Sequence, residues 1–279
     1  MPGVVGSVAS IHRYPVKSMA GERLDVAHVG PGGVIGDRVM ALRDVETGQI
    51  ASAKRPGRWG ALLDCRASNE GGTVVVTLPG GNRLSLEPGD RSLSQHLGRE
   101  VVAERFERPG QGEYSAEWPD VEGYVWAGRD DTSYPLNIGG DHSTGFVDLA
   151  PIHLTTTSAL RTLRDADPSL RVDIRRFRPT FVVDTGDVEG FPELEWVGRT
   201  LAIGSARFSV TMPTLRCVMV TAAQGDLPRQ VGVLRTLLEI NGEDAHMHDG
   251  ERGRVANFGA YTDVAGPGTI AVGDEVHLV

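Results

Sequence analysis

Residues 61–86, ALLDCRASNEGGTVVVTLPGGNRLSL, alternate short apolar runs with two glycine-rich turns. The turn at 70–72 separates a run at 61–68 from a run at 73–78, and PGGN at 79–82 leads into a third run at 83–86. Short runs rich in valine and leucine, bounded by Gly, Pro and Asn, are typical of β-strands joined by tight turns. The stretch therefore predicts three consecutive strands.

The same pattern continues on both sides of this stretch. Further strands are predicted at 4–10, 24–29, 39–43, 152–155, 180–184, 201–203, 206–212, 217–221, 256–261, 269–272 and 275–279. Three helices are predicted at 87–98, with Asp90 as N-cap and Gly98 as its end, at 157–165, and at 231–240. Many closely spaced strands with few helices predict a mostly β fold built as a barrel or sandwich.

Residues 107–150 differ from the rest of the chain. They are polar, rich in Gly, Pro, Asp and aromatic residues, and show little periodicity. A segment of this length is either a functional loop or a linker between units. It predicts a division into an N-terminal region at 1–106, a joining segment at 107–150 and a second domain at 151–279.

Composition limits the function classes. The chain has 279 residues, a net charge of −9 and two cysteines. The acidic balance argues against general attraction to nucleic acid or anionic membranes. Two cysteines argue against a disulfide framework or a closed zinc site, and favour a reducing compartment. The N-terminus lacks the apolar core of a signal peptide, and no run approaches the roughly 20 apolar residues of a membrane helix, so we expect a cytoplasmic protein.

The segment PTLRCVMVT at 213–221 is the most informative for chemistry. Arg216 directly precedes Cys217, and a neighbouring guanidinium favours the thiolate, which is the form that attacks carbon or ligates a metal. A buried structural cysteine is the commoner fate of a free thiol, and spacing alone does not overturn it. Cys65, in a plain strand pattern, is interpreted as structural.

Three other segments carry candidate charges. Lys17 lies in YPVKS (14–18), Asp37 and Arg38 end GPGGVIGDR (30–38), and an arginine cluster at 175–178 precedes an apolar strand. Exposed charges of this kind usually pair with surface acids, although a guanidinium fork suits a phosphate. HMHD at 246–249 is interpreted as exposed loop polarity. The residues alone thus predict a β-rich protein with a pocket for an anionic ligand and one activated thiol.

Five motifs in order then resemble a known family. They are IHRYPVKSMAGERL (11–24), GGVIGDR (32–38), FRPTFVV (177–183), TLRC (214–217) and GPGTIAVGDEVHLV (266–279). Together they resemble MOSC proteins, in particular the branch of the mitochondrial amidoxime-reducing component and its bacterial relatives. The resemblance covers nearly the whole chain and is weakest across 107–150.

The resemblance implies an N-terminal MOSC-type β-barrel region packed on a MOSC β-barrel domain, with the molybdenum cofactor (Mo-molybdopterin) between them. Cys217 matches the cysteine that gives a thiolate to molybdenum, and would be both metal ligand and catalytic residue. The positions that match cofactor-binding residues are Lys17, Ser18, Arg38, Asp148, Leu149, Arg178, Thr180, Leu215 and Arg216. Two of them depart from the branch: Thr180 replaces its usual Asn, and Leu215 replaces a serine.

The resemblance implies an oxidoreductase that reduces small N-hydroxylated or N-oxygenated compounds. Because it does not extend to a ferredoxin domain, electrons are expected from a separate ferredoxin-like or cytochrome b5-like protein and its reductase. The alternative is a non-enzymatic carrier of the cofactor or its sulfur, with Cys217 as a persulfide-bearing thiol. The departures at Thr180 and Leu215 leave a third possibility, a binding module that has lost its cofactor.

Overall fold

The computed structural model describes residues 3–129, 132–136, 144–246 and 250–279. It is mostly β, with 41% strand and 16% helix, which confirms the predicted fold class. The strands are β1 (Gly3–Arg13), β2 (Glu22–Leu24), β3 (Val26–Gly30), β4 (Gly33–Val34), β5 (Met40–Asp44), β6 (Arg66–Glu70), β7 (Thr73–Thr77), β8 (Arg83–Ser85), β9 (Val101–Arg105), β10 (Glu113–Ala116), β11 (Thr132–Pro135), β12 (Ile152–Thr156), β13 (Phe181–Asp184), β14 (Thr200–Ile203), β15 (Ala206–Arg216), β16 (Gly242–His246), β17 (Arg252–Gly266), β18 (Gly268–Ala271) and β19 (Glu275–Leu278). The helices are α1 (Pro56–Trp59), α2 (Ser94–Leu97), α3 (Thr157–Ala166) and α4 (Gly232–Asn241), with 3₁₀ helices at Gly60–Asp64, Ile174–Arg176, Pro192–Leu194 and Val218–Thr221.

Seven strands close into a β-barrel in the order β12, β13, β1, β19, β14, β15 and β17, and β17 pairs back with β12. The N-terminal strand β1 lies between β13 and β19, so the barrel contains residues from both ends of the chain. Its interior is apolar and includes Ile11, Leu154, Phe181, Phe208 and Val276. Because a closed barrel has no free edge, its strands are fixed by pairing on both sides and hold the residues at their ends in place.

The stretch at 61–86 forms the three-stranded sheet β6–β7–β8, in which Val76 pairs with Ala67 and Leu84. The prediction of a strand from residue 61 is wrong, because the chain first makes the 3₁₀ helix Gly60–Asp64. Leu62 and Leu63 are both buried at consecutive positions. A half-buried strand would place such neighbours on opposite faces, and the apolar run alone does not distinguish the two arrangements.

Two other predicted elements change. The helix at 87–98 is reduced to α2, whose N-cap is Leu93 rather than Asp90, although Gly98 ends it in the left-handed conformation as predicted. Asp90 instead accepts a hydrogen bond from the Ser92 amide and forms the preceding turn. The strand predicted at 217–221 is the 3₁₀ helix Val218–Thr221, because buried Arg176 donates to the Val220 and Ala222 carbonyls that a neighbouring strand would otherwise pair.

The helices predicted at 157–165 and 231–240 are confirmed as α3 and α4. Thr156 caps α3 by accepting a hydrogen bond from the Ala159 amide at 3.1 Å. Leu234 and Leu237 of α4 are buried in a cluster that also contains Phe258 of β17. None of the described helices is long and apolar enough to cross a membrane.

Within 107–150, β10 and β11 pair as an antiparallel hairpin. Tyr114 and Ala116 of β10 are buried together with Leu136 and Phe146, so this segment has an apolar anchor despite its polar composition. The division of the chain at 106 and 150 stays a prediction.

Glu193 is a buried carboxylate at the barrel wall and gives the first testable prediction. Burial raises its pKa from 4.5 to about 7, against the opposing effect of the Thr156 hydroxyl. A raised folded-state pKa means that the folded protein binds the extra proton between these values, so stability is lost as pH rises from 4.5 through 7. Between pH 5 and pH 8 we expect the wild type to lose about 2.5 kcal/mol relative to Glu193→Gln, because the histidines that titrate in the same range contribute equally to both proteins. Urea unfolding of both proteins at pH 5 and pH 8 measures it, and parallel pH dependences would contradict it.

Candidate functional site

A cavity of about 280 Å³ lies where the barrel meets the N-terminal region. Nine of the ten candidate residues line it: Lys17, Ser18, Arg38, Asp148, Leu149, Arg178, Leu215, Arg216 and Cys217. Thr180 is fully buried outside this lining. Its amide donates to the His153 carbonyl at 2.6 Å, so the structure places it behind His153 rather than at the cavity surface.

Cys217 follows the last residue of β15 and begins the 3₁₀ helix at 218–221. It is therefore at a strand end, as predicted, but at the end of β15 rather than the start of a new strand. Its side chain is partly exposed and lines the cavity. The Tyr124 hydroxyl donates to the Arg216 carbonyl, which belongs to the peptide group joining Arg216 to Cys217. This contact fixes the backbone that carries the thiol.

Cys65 is interpreted correctly as structural. It is fully buried in the core of the N-terminal region. Burial first, and then the Asp64 carboxylate, raise the pKa of its thiol to about 11. At neutral pH it therefore stays protonated and unreactive.

The Arg216 guanidinium is buried beside Cys217. Its Nε donates to the Phe258 carbonyl at 3.0 Å and Nη1 to the Phe177 carbonyl at 3.1 Å. Its Nη2 lies 2.7 Å from Nε2 of His153. Because a guanidinium has no acceptor, that ring nitrogen must accept. Burial, reinforced by Arg216, holds the pKa of His153 well below its usual value, so the imidazole is neutral and Arg216 carries the charge.

Two lysines of the cavity lining share one carboxylate. Nζ of Lys17 lies 2.5 Å from Oδ1 of Asp148, and Nζ of Lys54 lies 3.0 Å from Oδ2. Burial alone would raise the pKa of Asp148, but Lys17 and then Lys54 hold it below its usual range. Lys54 also donates to the Tyr114 hydroxyl at 2.9 Å. Three ionic groups with two positive charges and one negative charge leave this wall cationic.

A second cationic wall surrounds Tyr14. The guanidinium carbons of Arg178 and Arg38 lie 4.3 Å and 4.7 Å from the centre of the Tyr14 ring. Arg38 pairs with Asp37, whereas Arg178 donates to the Met19 carbonyl at 2.5 Å. Burial lowers the pKa of Arg178 against the opposing effect of Tyr14 and, together with the Arg38 charge, brings it to about 10. A bound anion would relieve this repulsion.

The backbone is strained where it meets the cavity. Among the described residues, four non-glycine residues have positive φ, and all four line it: Ser18, Arg38, Trp126 and Arg178. Such conformations cost of order 1–3 kcal/mol each and cluster at ligand sites. The Ser18 hydroxyl accepts from the Ala53 amide at 2.9 Å, which ties the Lys17 loop to the segment carrying Lys54.

The arginine cluster at 175–178 divides into three roles. Arg175 pairs at the surface with Asp173 and Asp226. Arg176 is 1% exposed and donates to carbonyls that hold the turn after Cys217. Arg178 lines the cavity. Three arginines that lie close together in the sequence therefore have three different roles: one forms surface ion pairs, one holds backbone carbonyls, and one lines the cavity.

Sequence reasoning missed several lining residues, including Lys54, Tyr114, His153 and Tyr261. It also missed an aromatic wall in which Trp118 lies 4.7 Å from Trp126 and 6.2 Å from Tyr124, centre to centre. Lys54 precedes a proline by two positions in SAKRP (52–56), a signal comparable to that of Lys17. The tyrosines and His153 have no local signal.

The HMHD candidate for a metal is only partly described. His246 ends β16 and is exposed, while 247–249 lie outside the described residues. Within the described part of the chain, no group of three or more His, Cys, Asp or Glu residues is arranged to hold a metal ion.

Gly259 of β17 supports the site from behind and gives a second prediction. Its φ is +82°, and an added Cβ would lie 2.3 Å from Nε2 of His153 and 2.4 Å from the Leu154 carbonyl. We expect Gly259→Ala to lower the free energy of unfolding by about 3 kcal/mol. Gly71, with φ +62° and no atom within 4 Å of its added Cβ, is the matched control, at about 1 kcal/mol for backbone strain alone. Equal losses in urea unfolding would show that the contact does not matter.

Two family models match the chain. A model of the MOSC N-terminal beta barrel domain matches residues 5–120, and a model of the MOSC domain matches residues 141–277. Molybdenum cofactor sulfurase from Anopheles gambiae is 26% identical over 277 residues, covering 91% of this chain and 34% of that protein. The chain thus spans about a third of that relative's length.

Two solved structures are similar at low identity. The YUAD protein from Bacillus subtilis aligns over 100% of this chain and 96% of its own, with 11% identity and a TM-score of 0.45. YiiM from Geobacillus stearothermophilus aligns over 46% of this chain and 54% of its own, with 15% identity and a TM-score of 0.31. Both scores are too low to establish a shared fold.

Proposed function

The chain belongs to the MOSC family, and we propose that it is a molybdenum-cofactor-dependent oxidoreductase that reduces N-hydroxylated compounds. One observation carries the proposal. The described lining of the cavity brings the Cys217 thiol together with five cationic side chains (apart from Arg176, which holds backbone carbonyls) and one carboxylate, in a chain of net charge −9. A soft thiolate suits molybdenum, and lysine and arginine suit a phosphate.

The donor set fits this cofactor. The described residues hold no cluster that would cage a metal alone, which suits a metal bound mainly by an organic ligand and anchored by one thiolate. We assign Cys217 to the metal. Lys17, Arg38 and Arg178 would hold the anionic end of the cofactor, while Leu149 and Leu215 would contribute backbone groups.

Reduction of an N-hydroxyl group breaks the N–O bond, consumes two electrons and two protons, and releases an amine and water. When bound, the cofactor supplies the two-electron chemistry; a separate donor protein would renew the electrons. This chain's own residues supply proton-holding groups. Burial raises the pKa of Tyr114, and Asp148 raises that of Lys54 against the effect of burial. Both groups therefore stay protonated at neutral pH and can hydrogen-bond a substrate oxygen.

The aromatic wall of Trp118, Tyr124 and Trp126 would border the substrate. The buried indole Nε1–H of Trp118 has no hydrogen-bond partner among the described residues, so a ligand that reached it would satisfy this donor. We expect Trp126→Ala to raise KM for an aromatic hydroxylamine by about tenfold with kcat little changed. Trp126→Phe, which keeps a ring, should restore most of the affinity. An equal KM change for an aliphatic hydroxylamine would contradict stacking.

The test of function uses the purified full chain. Expressed in a host that makes the cofactor, the protein should reduce an aromatic hydroxylamine to the amine with a chemical reductant. The same chain from a host unable to make the cofactor should be inactive. Equal rates from the two preparations, or no turnover by molybdenum-loaded protein, would overturn the proposal.

The second candidate is a non-enzymatic carrier of the cofactor or its sulfur. The similarity to a molybdenum cofactor sulfurase favours it. Cys217 would then carry a persulfide, which intact-mass spectrometry detects as an added sulfur that a thiol reductant removes. Cofactor-loaded protein that shows the persulfide but no turnover would favour the carrier over the reductase.

A further inference from the structure

A buried carboxylate lies behind the arginine that precedes Cys217. Glu193, in the 3₁₀ helix Pro192–Leu194, is 0% exposed. Its Oε2 accepts from the Thr156 hydroxyl at 2.7 Å, and its Oε1 lies 3.4 Å from the Thr155 hydroxyl. The backbone amides of Glu193 and Gly259 also favour its charged form and lower its pKa, against the larger effect of burial. A carboxylate with this many donors is held in one position.

One peptide group connects this carboxylate to the cavity. The backbone amide of Gly259 interacts with the Glu193 carboxyl and lowers its pKa, and the carbonyl of the same Phe258–Gly259 peptide accepts from Nε of Arg216 at 3.0 Å. The carboxylate at the N–H end and the guanidinium at the C=O end polarise this peptide in the same direction. Gly259 is required for the arrangement, because a Cβ there would collide with His153.

We propose that Glu193 is the counter-ion and positioning residue of Arg216, acting through the Phe258–Gly259 peptide, and that it sets the anion affinity of the cavity. The Arg216 guanidinium lies within hydrogen-bond distance of two carbonyls and of His153, none of them a carboxylate. Burial lowers its pKa, whereas Tyr261, Cys217, Tyr124 and then the charge of Glu193 raise it. The inference rests on the proposed function, because it takes the cavity that Arg216 lines as the site of an anionic ligand.

The titratable groups around Glu193 and the Phe258–Gly259 peptide determine how anion binding in the cavity responds to pH. Arg216 faces this peptide from β15 and stays charged. His153 faces it from β12 and stays neutral, while β12 otherwise contributes the Thr155 and Thr156 hydroxyls. Glu193 is thus the group that titrates near neutrality. When it gains its proton, it stops offsetting Arg216, and the cavity becomes more attractive to anions.

Sulfate is a suitable probe because its charge is constant near neutral pH. Calorimetry on the full chain purified without cofactor should show sulfate affinity rising about three- to tenfold between pH 8 and pH 6. Glu193→Gln should show the higher affinity at both pH values. Glu195→Gln, an exposed carboxylate two residues away, should follow the wild type. A Glu193→Gln variant with the wild-type pH dependence, or no sulfate binding by any of the three proteins, would overturn the proposal.

A second measurement does not depend on the probe. The ¹³C signal of the Glu193 carboxyl, assigned by its loss in Glu193→Gln, should titrate at a midpoint about one pH unit higher in Arg216→Gln than in the wild type. An unchanged midpoint would show that the two groups do not interact. Neither experiment involves molybdenum, so failure of the proposed function would appear separately, in the metal content and turnover of loaded protein.

Discussion

Replacing Cys217 with alanine is expected to lower the molybdenum content at least about tenfold and the turnover of an N-hydroxylated substrate about a hundredfold or more. The physical reason is that Cys217 is the one thiol among the described residues lining the cavity, and no other side chain there can give molybdenum a thiolate bond. Elemental analysis and steady-state kinetics on cofactor-loaded protein measure the two effects.

Cys65→Ala is the matched control for this substitution. Cys65 is buried in the N-terminal core and lies away from the cavity lining. Its removal should lower stability by creating a small void, with molybdenum content and turnover per folded chain retained. If Cys217→Ala kept its metal and its activity, the role assigned to this thiol would be wrong for the reductase and for the carrier.

The second large effect is a loss of stability on replacing Asp148. One oxygen of its carboxylate pairs with Lys17 and the other with Lys54. Asp148→Asn keeps the shape of the side chain but leaves two partly buried ammonium groups without a counter-charge. Because breaking one partner of a buried ion pair leaves uncompensated charge, we expect the free energy of unfolding to fall by about 3 kcal/mol. Urea unfolding of the cofactor-free chain measures it.

Asp120→Asn, at an exposed carboxylate in the same segment, should change stability by less than about 0.5 kcal/mol. Addition of an anion such as sulfate should recover part of the loss in Asp148→Asn, because the ligand would supply the missing negative charge. Equal stability of the Asp148 and Asp120 variants would contradict the assignment of Asp148 as the shared counter-ion.

The fold is predictable from sequence where the signal is local. The turns at 70–72 and 79–82 and the periodicity of α3 and α4 depend on residues close in the chain, and the structure confirms them. The segments at 61–64 and 217–221 are different. Their apolar runs fit either a strand or a 3₁₀ helix, and contacts from distant residues such as Arg176 decide between the two.

The site divides in the same way. Lys17, Arg38, Arg178 and Cys217 lie in recognisable motifs, and the structure brings all four to one cavity. Lys54 and Tyr114 acquire their contacts only when the hairpin β10–β11 folds against the N-terminal region, so no local pattern reveals them. Glu193 lies in the segment FPELEW (191–196), whose proline and two glutamates are typical of an exposed turn. Its burial depends on β12 and β17, which are distant in the chain.

The molybdenum content of the wild-type chain tests most directly whether this cavity binds the molybdenum cofactor. Purified from a host that makes the cofactor, the protein should carry about one molybdenum per chain, together with the pterin phosphate. Less than about a tenth of a molybdenum per correctly folded chain, with a cofactor-competent control protein fully loaded in the same host, would contradict the claim.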